Sequence, residues 1–161
     1  MIDTSNPIVL VGVGAPGSGK STWWSEGLKN GLIPRQSTRI NMDEIRLHLT
    51  GSESDQSQNN TVAKLAEEQL KSNLSNKTPV IFWDNTSAKR KYRKSIIDLA
   101  KMSNYKIIAI YWDIPLQTCL ERNKSRARMV PEDVILKMYN SIKEIPPTKN
   151  EGFDDIIVIN N

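Results

Sequence analysis

Eight consecutive residues, Gly14-Ala15-Pro16-Gly17-Ser18-Gly19-Lys20-Ser21, carry the densest chemistry in the chain. They fit the spacing G-x-x-x-x-G-K-[ST], in which glycines let successive amide N–H groups turn toward one point and a helix N-terminus adds partial positive charge. The ligand that suits such a loop is a chain of phosphate groups. Lys20 is placed to neutralise the β- and γ-phosphates of a nucleoside triphosphate, and Ser21 to offer its hydroxyl to Mg²⁺. A buried strand ending at Val13 and a helix beginning near Lys20 are the expected flanks. A glycine turn that merely contains a lysine accounts for neither.

Two acids and several arginines stand where a transferred phosphate could be received. Asp43 and Arg46, in Asn41-Met42-Asp43-Glu44-Ile45-Arg46, share one face if a helix starts at Asp43. A carboxylate there can take the proton of an attacking hydroxyl, help worth about 10²–10⁴ in rate, while the arginine holds a nearby phosphate. An N-cap aspartate with an ion-paired arginine fits the same residues. Asp84 closes the apolar run Val80-Ile81-Phe82-Trp83, as a strand-ending acid that acts on Mg²⁺ or its waters, or orients the acceptor. The segment from Arg122 to Arg128, between a helix from Pro115 and the proline at 131, reads as a short mobile lid. Its arginines suit the negative charge that phosphoryl transfer spreads over equatorial oxygens.

An α/β framework must position these groups. Short apolar runs at Pro7–Val13, Thr38–Asn41, Pro79–Trp83, Lys106–Trp112 and Asp155–Ile159 give five expected strands. Between them, Val62, Ala66, Leu70 and Leu74 line one face at helical spacing, as do Tyr92, Ile96, Leu99 and Ala100. Another helix starts at Pro131, with Glu132 and Asp133 in its first turn and Val134, Ile135, Met138, Tyr139 and Ile142 on its buried face. Strands alternating with helices imply a mainly parallel sheet, whose ligands bind at the carboxyl ends of the strands. Polar Gly51–Asn60 is expected to be a mobile surface loop.

The 161 residues, 38% hydrophobic and 25% charged, suit one globular domain over 1–161. No apolar run approaches the ~18 residues of a membrane span, and Ile8–Val13 is too short for a signal peptide; a cytoplasmic location without a membrane partner is expected. Cys119, the single cysteine, shares helical spacing with Leu116 and Leu120 and reads as a buried structural thiol. His48 reads as helix surface. The net charge of +4 is concentrated: seven basic residues against one acid lie between Lys89 and Lys106, and Arg122, Lys124, Arg126 and Arg128 form a second cluster. Such patches suit a polyanion, although a solvated helix face explains the first equally. Trp23, Trp24, Trp83 and Trp112 could stack bases, but their placement favours core packing.

In order along the chain, Gly14 through Ser21 with Thr22 and Trp23, then Asn41 to Arg46, Val80 to Asp84, and Arg122-Asn123 through Arg126 to Pro131, resemble the kinase domain of phage-type polynucleotide 5′-kinases, within the P-loop kinase group. This resemblance implies a three-layer α/β P-loop kinase fold: a five-stranded parallel sheet with helices on both faces, the second strand at an edge, the P-loop strand central, and a short arginine-bearing lid. It implies ATP as donor with Mg²⁺, and the 5′-hydroxyl end of DNA or RNA as acceptor. By residue, Gly14 to Thr22 with Arg122 and Arg126 would bind ATP, and Ser21 and Asp84 the metal. Asp43 would be the general base, with Lys20 and Arg126 completing the catalytic set. Arg46, Asp84, Thr86, Arg90 and Arg93 would face the acceptor. Met42 stands where the family often has a basic residue. Larger members add a phosphatase domain with a D-x-D-G-T type motif, absent here, so no phosphatase activity is expected.

Three activities fit these residues. One is phosphotransfer to a nucleic acid 5′-hydroxyl. A second is phosphotransfer to a small metabolite, nucleoside or nucleotide sugar, as in zeta-toxin-like kinases of the same branch. The third is a nucleotide-responsive binding module that transfers nothing. Oligomeric state is not specified by the sequence.

Overall fold

The computed structural model describes residues 2–160, so Met1 and Asn161, the ends of the expected domain, lie outside the described residues. The elements run β1 (Ile8–Val13), α1 (Lys20–Lys29), β2 (Thr38–Ile40), α2 (Met42–Thr50), α3 (Asn59–Ser75), β3 (Val80–Trp83), α4 (Arg90–Met102), β4 (Lys106–Trp112), α5 (Leu116–Lys124), α6 (Glu132–Glu144) and β5 (Asp155–Ile159), with a short 3₁₀ turn at Lys149–Glu151. The strands pair in parallel in the order β2-β3-β1-β4-β5, so the second strand is at an edge and β1 is central, as expected. No helix among the described residues is long and apolar enough to cross a membrane.

Every residue of β1 is buried, because strands flank it on both sides and helices cover both faces. Alternate side chains divide the core. Val9, Val11 and Val13 pack with Val62, Ala66, Leu70 and Leu74 of α3 and Ile96, Ile97 and Ala100 of α4. Ile8 and Leu10 pack on the other face with Trp24 of α1, Cys119 of α5 and Ile135 of α6. From β1 the chain crosses to the edge strand β2, returns inward through β3, and then passes to the other side of β1 for β4 and β5. That reversal opens a crevice at the carboxyl ends of the strands, where the loop after β1 lies.

One expected helix face is corrected. Tyr92 is 55% exposed, with the Lys91 ammonium 5.1 Å from its ring centroid, and the buried stripe of α4 is Arg93, Ile96, Ile97 and Ala100. An arginine occupies the core position that apolar spacing assigns to the aromatic residue. The lid is also shorter than expected, since Arg122, Asn123 and Lys124 belong to the last turns of α5.

Candidate active site

The loop from Gly14 to Ser21 leads from β1 into α1 as its spacing requires. Gly17 has φ +84°, and a Cβ there would stand 2.5 Å from the Cys119 carbonyl oxygen, so both conformation and space demand glycine. Gly19, at φ +108°, is the N-cap of α1. Gly14 is not in the left-handed region; its need is steric, because a Cβ would meet Ser18 Oγ at 2.7 Å. The Gly14 amide donates to the Thr86 carbonyl at 3.3 Å, which ties the loop to the segment after β3. Ala15 is buried against the core, Pro16 is half-buried, and Thr22 is exposed on the first turn of α1.

Lys20 folds back over its own loop, where its Nζ donates to the carbonyls of Gly14 at 2.7 Å and Ala15 at 3.2 Å. Burial pushes its pKa below the ordinary lysine value; Asp84 opposes this, Arg126 adds to it, and Asp43 opposes it weakly. A bound triphosphate would raise the pKa again, so nucleotide binding is expected to take up protons once the pH exceeds the depressed free-state value. The affinity gain from this linkage is full below that value and is lost as pH rises through the bound-state pKa. Calorimetry in buffers of different ionisation enthalpy measures the uptake; a buffer-independent binding enthalpy across the alkaline range counts against it.

Asp84, at the end of β3, is 1% exposed. Its Oδ2 lies 3.5 Å from Ser21 Oγ, giving a hydroxyl and a buried carboxylate at the mouth of the loop. These are the hard oxygen donors that Mg²⁺ takes while keeping several waters, so the residues fit the ion. The same segment positions α2. Asn41 caps that helix by accepting the Glu44 amide at 3.0 Å while its Nδ2 donates to the Asp84 carbonyl at 2.8 Å, and Asn85 Oδ1 accepts the Met42 amide at 2.9 Å. The N-cap role weighed for Asp43 thus belongs to Asn41.

Asp43, on the first turn of α2, accepts from Arg46 at 2.5 Å and from Arg128 at 3.3 Å. Arg46 is 8% exposed and is further fixed by Asn59 Oδ1 at 3.2 Å. Arg128 also reaches Ser54 Oγ at 3.0 Å, so the Gly51–Asn60 segment, whose last two residues begin α3, docks on the lid. Buried Asn123 staples the lid by exchanging two hydrogen bonds with the Val130 backbone, at 2.8 and 2.9 Å. Arg122 donates to the Ser18 carbonyl at 3.1 Å, on the phosphate loop itself. Arg126 is exposed, and its side chain makes no hydrogen bond among the described residues.

Two expected acceptor contacts are used inside the protein instead. Arg93 is fully buried: it pairs with Glu151 at 2.7 Å and donates to the carbonyls of Ser87, Ala88 and Ile145, so it is unavailable to a ligand. Thr86 turns its hydroxyl to Met138 Sδ at 3.8 Å. Arg90 is exposed at the start of α4. Trp23, Trp24 and Trp112 cluster around Phe82, with Trp24 stacked on it at 5.4 Å, and Trp83 is buried on the other sheet face. Cys119 is 1% exposed, and burial raises its thiol pKa. His48 is exposed on α2.

Sequence reasoning missed Arg39 and Arg128. Arg39 bridges Asp84 Oδ2 at 2.6 Å, Ser21 Oγ at 3.0 Å and the Glu44 carboxylate. A lone arginine in a short edge strand carries no local signal of such a role. Arg128 could have been singled out as the last arginine of the lid cluster.

A family described as an AAA domain matches residues 9–145. This chain is a member of the AAA_33 family. The AAA_33 chain is 34% identical over 80 residues to L-seryl-tRNA(Sec) kinase of Methanococcus maripaludis, covering 50% of this chain and 31% of that protein. It is 27% identical over 162 residues to transcription factor bHLH140 of Arabidopsis thaliana, covering 96% of this chain and 16% of that protein. A chain of the Pnkp1/Rnl/Hen1 RNA repair complex superposes with a TM-score of 0.70 at 25% identity, over 92% of this chain and 47% of that one. Shikimate kinase from Acinetobacter baumannii, in complex with shikimate, superposes at 0.62 with 18% identity, over 98% of this chain and 86% of that one, a likeness of fold alone. The AAA_33 chain thus spans less than half of the first three relatives. Its sheet order and phosphate loop give it the α/β P-loop kinase fold.

Proposed function

We propose that this domain moves the γ-phosphoryl group of ATP to the 5′-hydroxyl of a nucleic acid end. The observation that carries the reading is the Asp43 carboxylate held between Arg46 of α2 and Arg128 of the lid. In the reaction the acceptor oxygen bonds to the γ-phosphorus, the bond from that phosphorus to the β,γ-bridging oxygen breaks, ADP leaves, and Asp43 takes the hydroxyl proton. Mg²⁺, held at Ser21 and Asp84, would neutralise charge on the β- and γ-oxygens. The loop amides and Lys20 bind the donor phosphates, Arg122 and Arg126 close over them from α5 and the lid, and Arg46 steadies an acceptor phosphate. Each Asp43 oxygen accepts one arginine N–H and keeps a lone pair, so the carboxylate can receive a proton with both arginines in place.

A polyanionic acceptor is supported by Lys89, Arg90, Lys91 and Lys94, all exposed at the start of α4 beyond the Asp84–Ser87 segment. The RNA repair and tRNA kinase relatives support it too. The direct test is incubation with γ-labelled ATP and a panel of 5′-hydroxyl DNA, RNA, nucleosides and sugars. Label is expected on the oligonucleotides, with an apparent KM that rises steeply with salt as bound counterions are released. A nucleoside or sugar labelled as fast as an oligonucleotide, with no salt slope, would replace this acceptor by a small molecule.

A further inference from the structure

The two groups that suit Mg²⁺, Ser21 and Asp84, are bridged by the guanidinium of Arg39. Its Nε is 2.6 Å from Asp84 Oδ2 and its Nη2 is 3.0 Å from Ser21 Oγ, while Nη1 pairs with the Glu44 carboxylate. The arginine side chain is 18% exposed and the Asp84 side chain 2%, so solvent screens this contact little. A guanidinium keeps its charge at any working pH, which makes it a permanent cation on Asp84. It also takes up an oxygen of Asp84 and one lone pair of Ser21. A divalent ion entering there meets a like charge and a carboxylate already engaged.

We propose that Arg39 is a tethered stand-in for the metal. In the nucleotide-free protein it holds Ser21 and Asp84 in register and keeps free divalent cations out, so that the ion enters only together with a triphosphate. The charge of the triphosphate then makes two neighbouring cations tolerable. Glu44 keeps hold of the displaced guanidinium, and the cleft of about 670 Å³ between α2 and α3, which Arg39 and Glu44 both line, gives it room to withdraw. The inference rests on the assignment of Ser21 and Asp84 as the metal pair.

Mn²⁺ titration followed by electron paramagnetic resonance, on the nucleotide-free protein, tests it without any turnover. Arg39→Gln frees two carboxylates and a hydroxyl around one position, and is expected to bind Mn²⁺ at least about tenfold more tightly than the unaltered chain, a gain that adding Asp84→Asn removes. Arg39→Lys keeps the charge but cannot bridge three acceptors, and should fall between the two; if Arg39→Gln does not fold, this variant alone must tighten Mn²⁺ binding. Affinity unchanged or weakened in a folded Arg39 variant overturns the proposal. If Asp84→Asn alone still weakens binding of the Mn²⁺–ATP complex, the metal pair stands and only the role of Arg39 falls. A gain at Arg39→Gln that survives Asp84→Asn sinks both.

Discussion

Asp43→Asn is expected to lower turnover by about 10²–10⁴ while leaving ATP affinity within about twofold of its starting value. Asparagine keeps the size of the side chain and one oxygen, so only one of Arg46 and Arg128, which donate to different oxygens of Asp43, keeps its acceptor, and the amide cannot take the acceptor's proton. Asn41, not Asp43, caps α2, so the helix keeps its first turn, and the loop of Gly14 to Ser21, proposed to bind the donor phosphates, is a separate segment between β1 and α1. A structural aspartate would instead show itself as lost stability with turnover kept. Single-turnover transfer from labelled ATP and calorimetric ATP binding, measured on the same preparation, separate the two. Transfer within about threefold of the unaltered rate would end the base assignment.

Arg93→Ala should cost about 3–5 kcal/mol of stability, a large part of the 5–15 kcal/mol that about any domain of this kind possesses. The side chain is fully buried and its partner Glu151 is 2% exposed, so removal strands a carboxylate and three backbone carbonyls, those of Ser87, Ala88 and Ile145. Glu151 also accepts the Thr148 amide at 2.8 Å, so replacing both partners by apolar residues should not restore stability, unlike many buried pairs. For a chain of this length the midpoint of thermal unfolding should fall by roughly 6–20 °C. The damage also reaches the site, because two of those carbonyls, on Ser87 and Ala88, directly follow Thr86, whose own carbonyl receives the Gly14 amide. A loss below about 1 kcal/mol in urea unfolding would show that water or a neighbour replaces the guanidinium.

The phosphate loop was legible in the sequence because its function is local: eight adjacent residues set the backbone angles, and the apolar run before them and helix after them confirm the setting. The inner strands β1, β3 and β4 were legible for a similar reason, since residues buried on both faces read as unbroken apolar runs. Helix α4 shows where this fails. Periodicity puts Tyr92 inside, yet Arg93 is there, because a charge can occupy a core when a partner 58 residues away neutralises it. No window of sequence contains that partner.

What the chain alone determined is the glycine-rich phosphate-loop motif, the α/β alternation around it, and the acids at the ends of its strands. What only the tertiary structure decided is which arginine meets which acid: Arg39 on Asp84, Arg128 on Asp43, Arg93 on Glu151. Dihedral preference and hydrophobic period act between neighbours along the backbone, whereas ion pairing acts through space. With 22 basic and 18 acidic residues in the chain, the choice among pairs is made by the sheet order that brings them together.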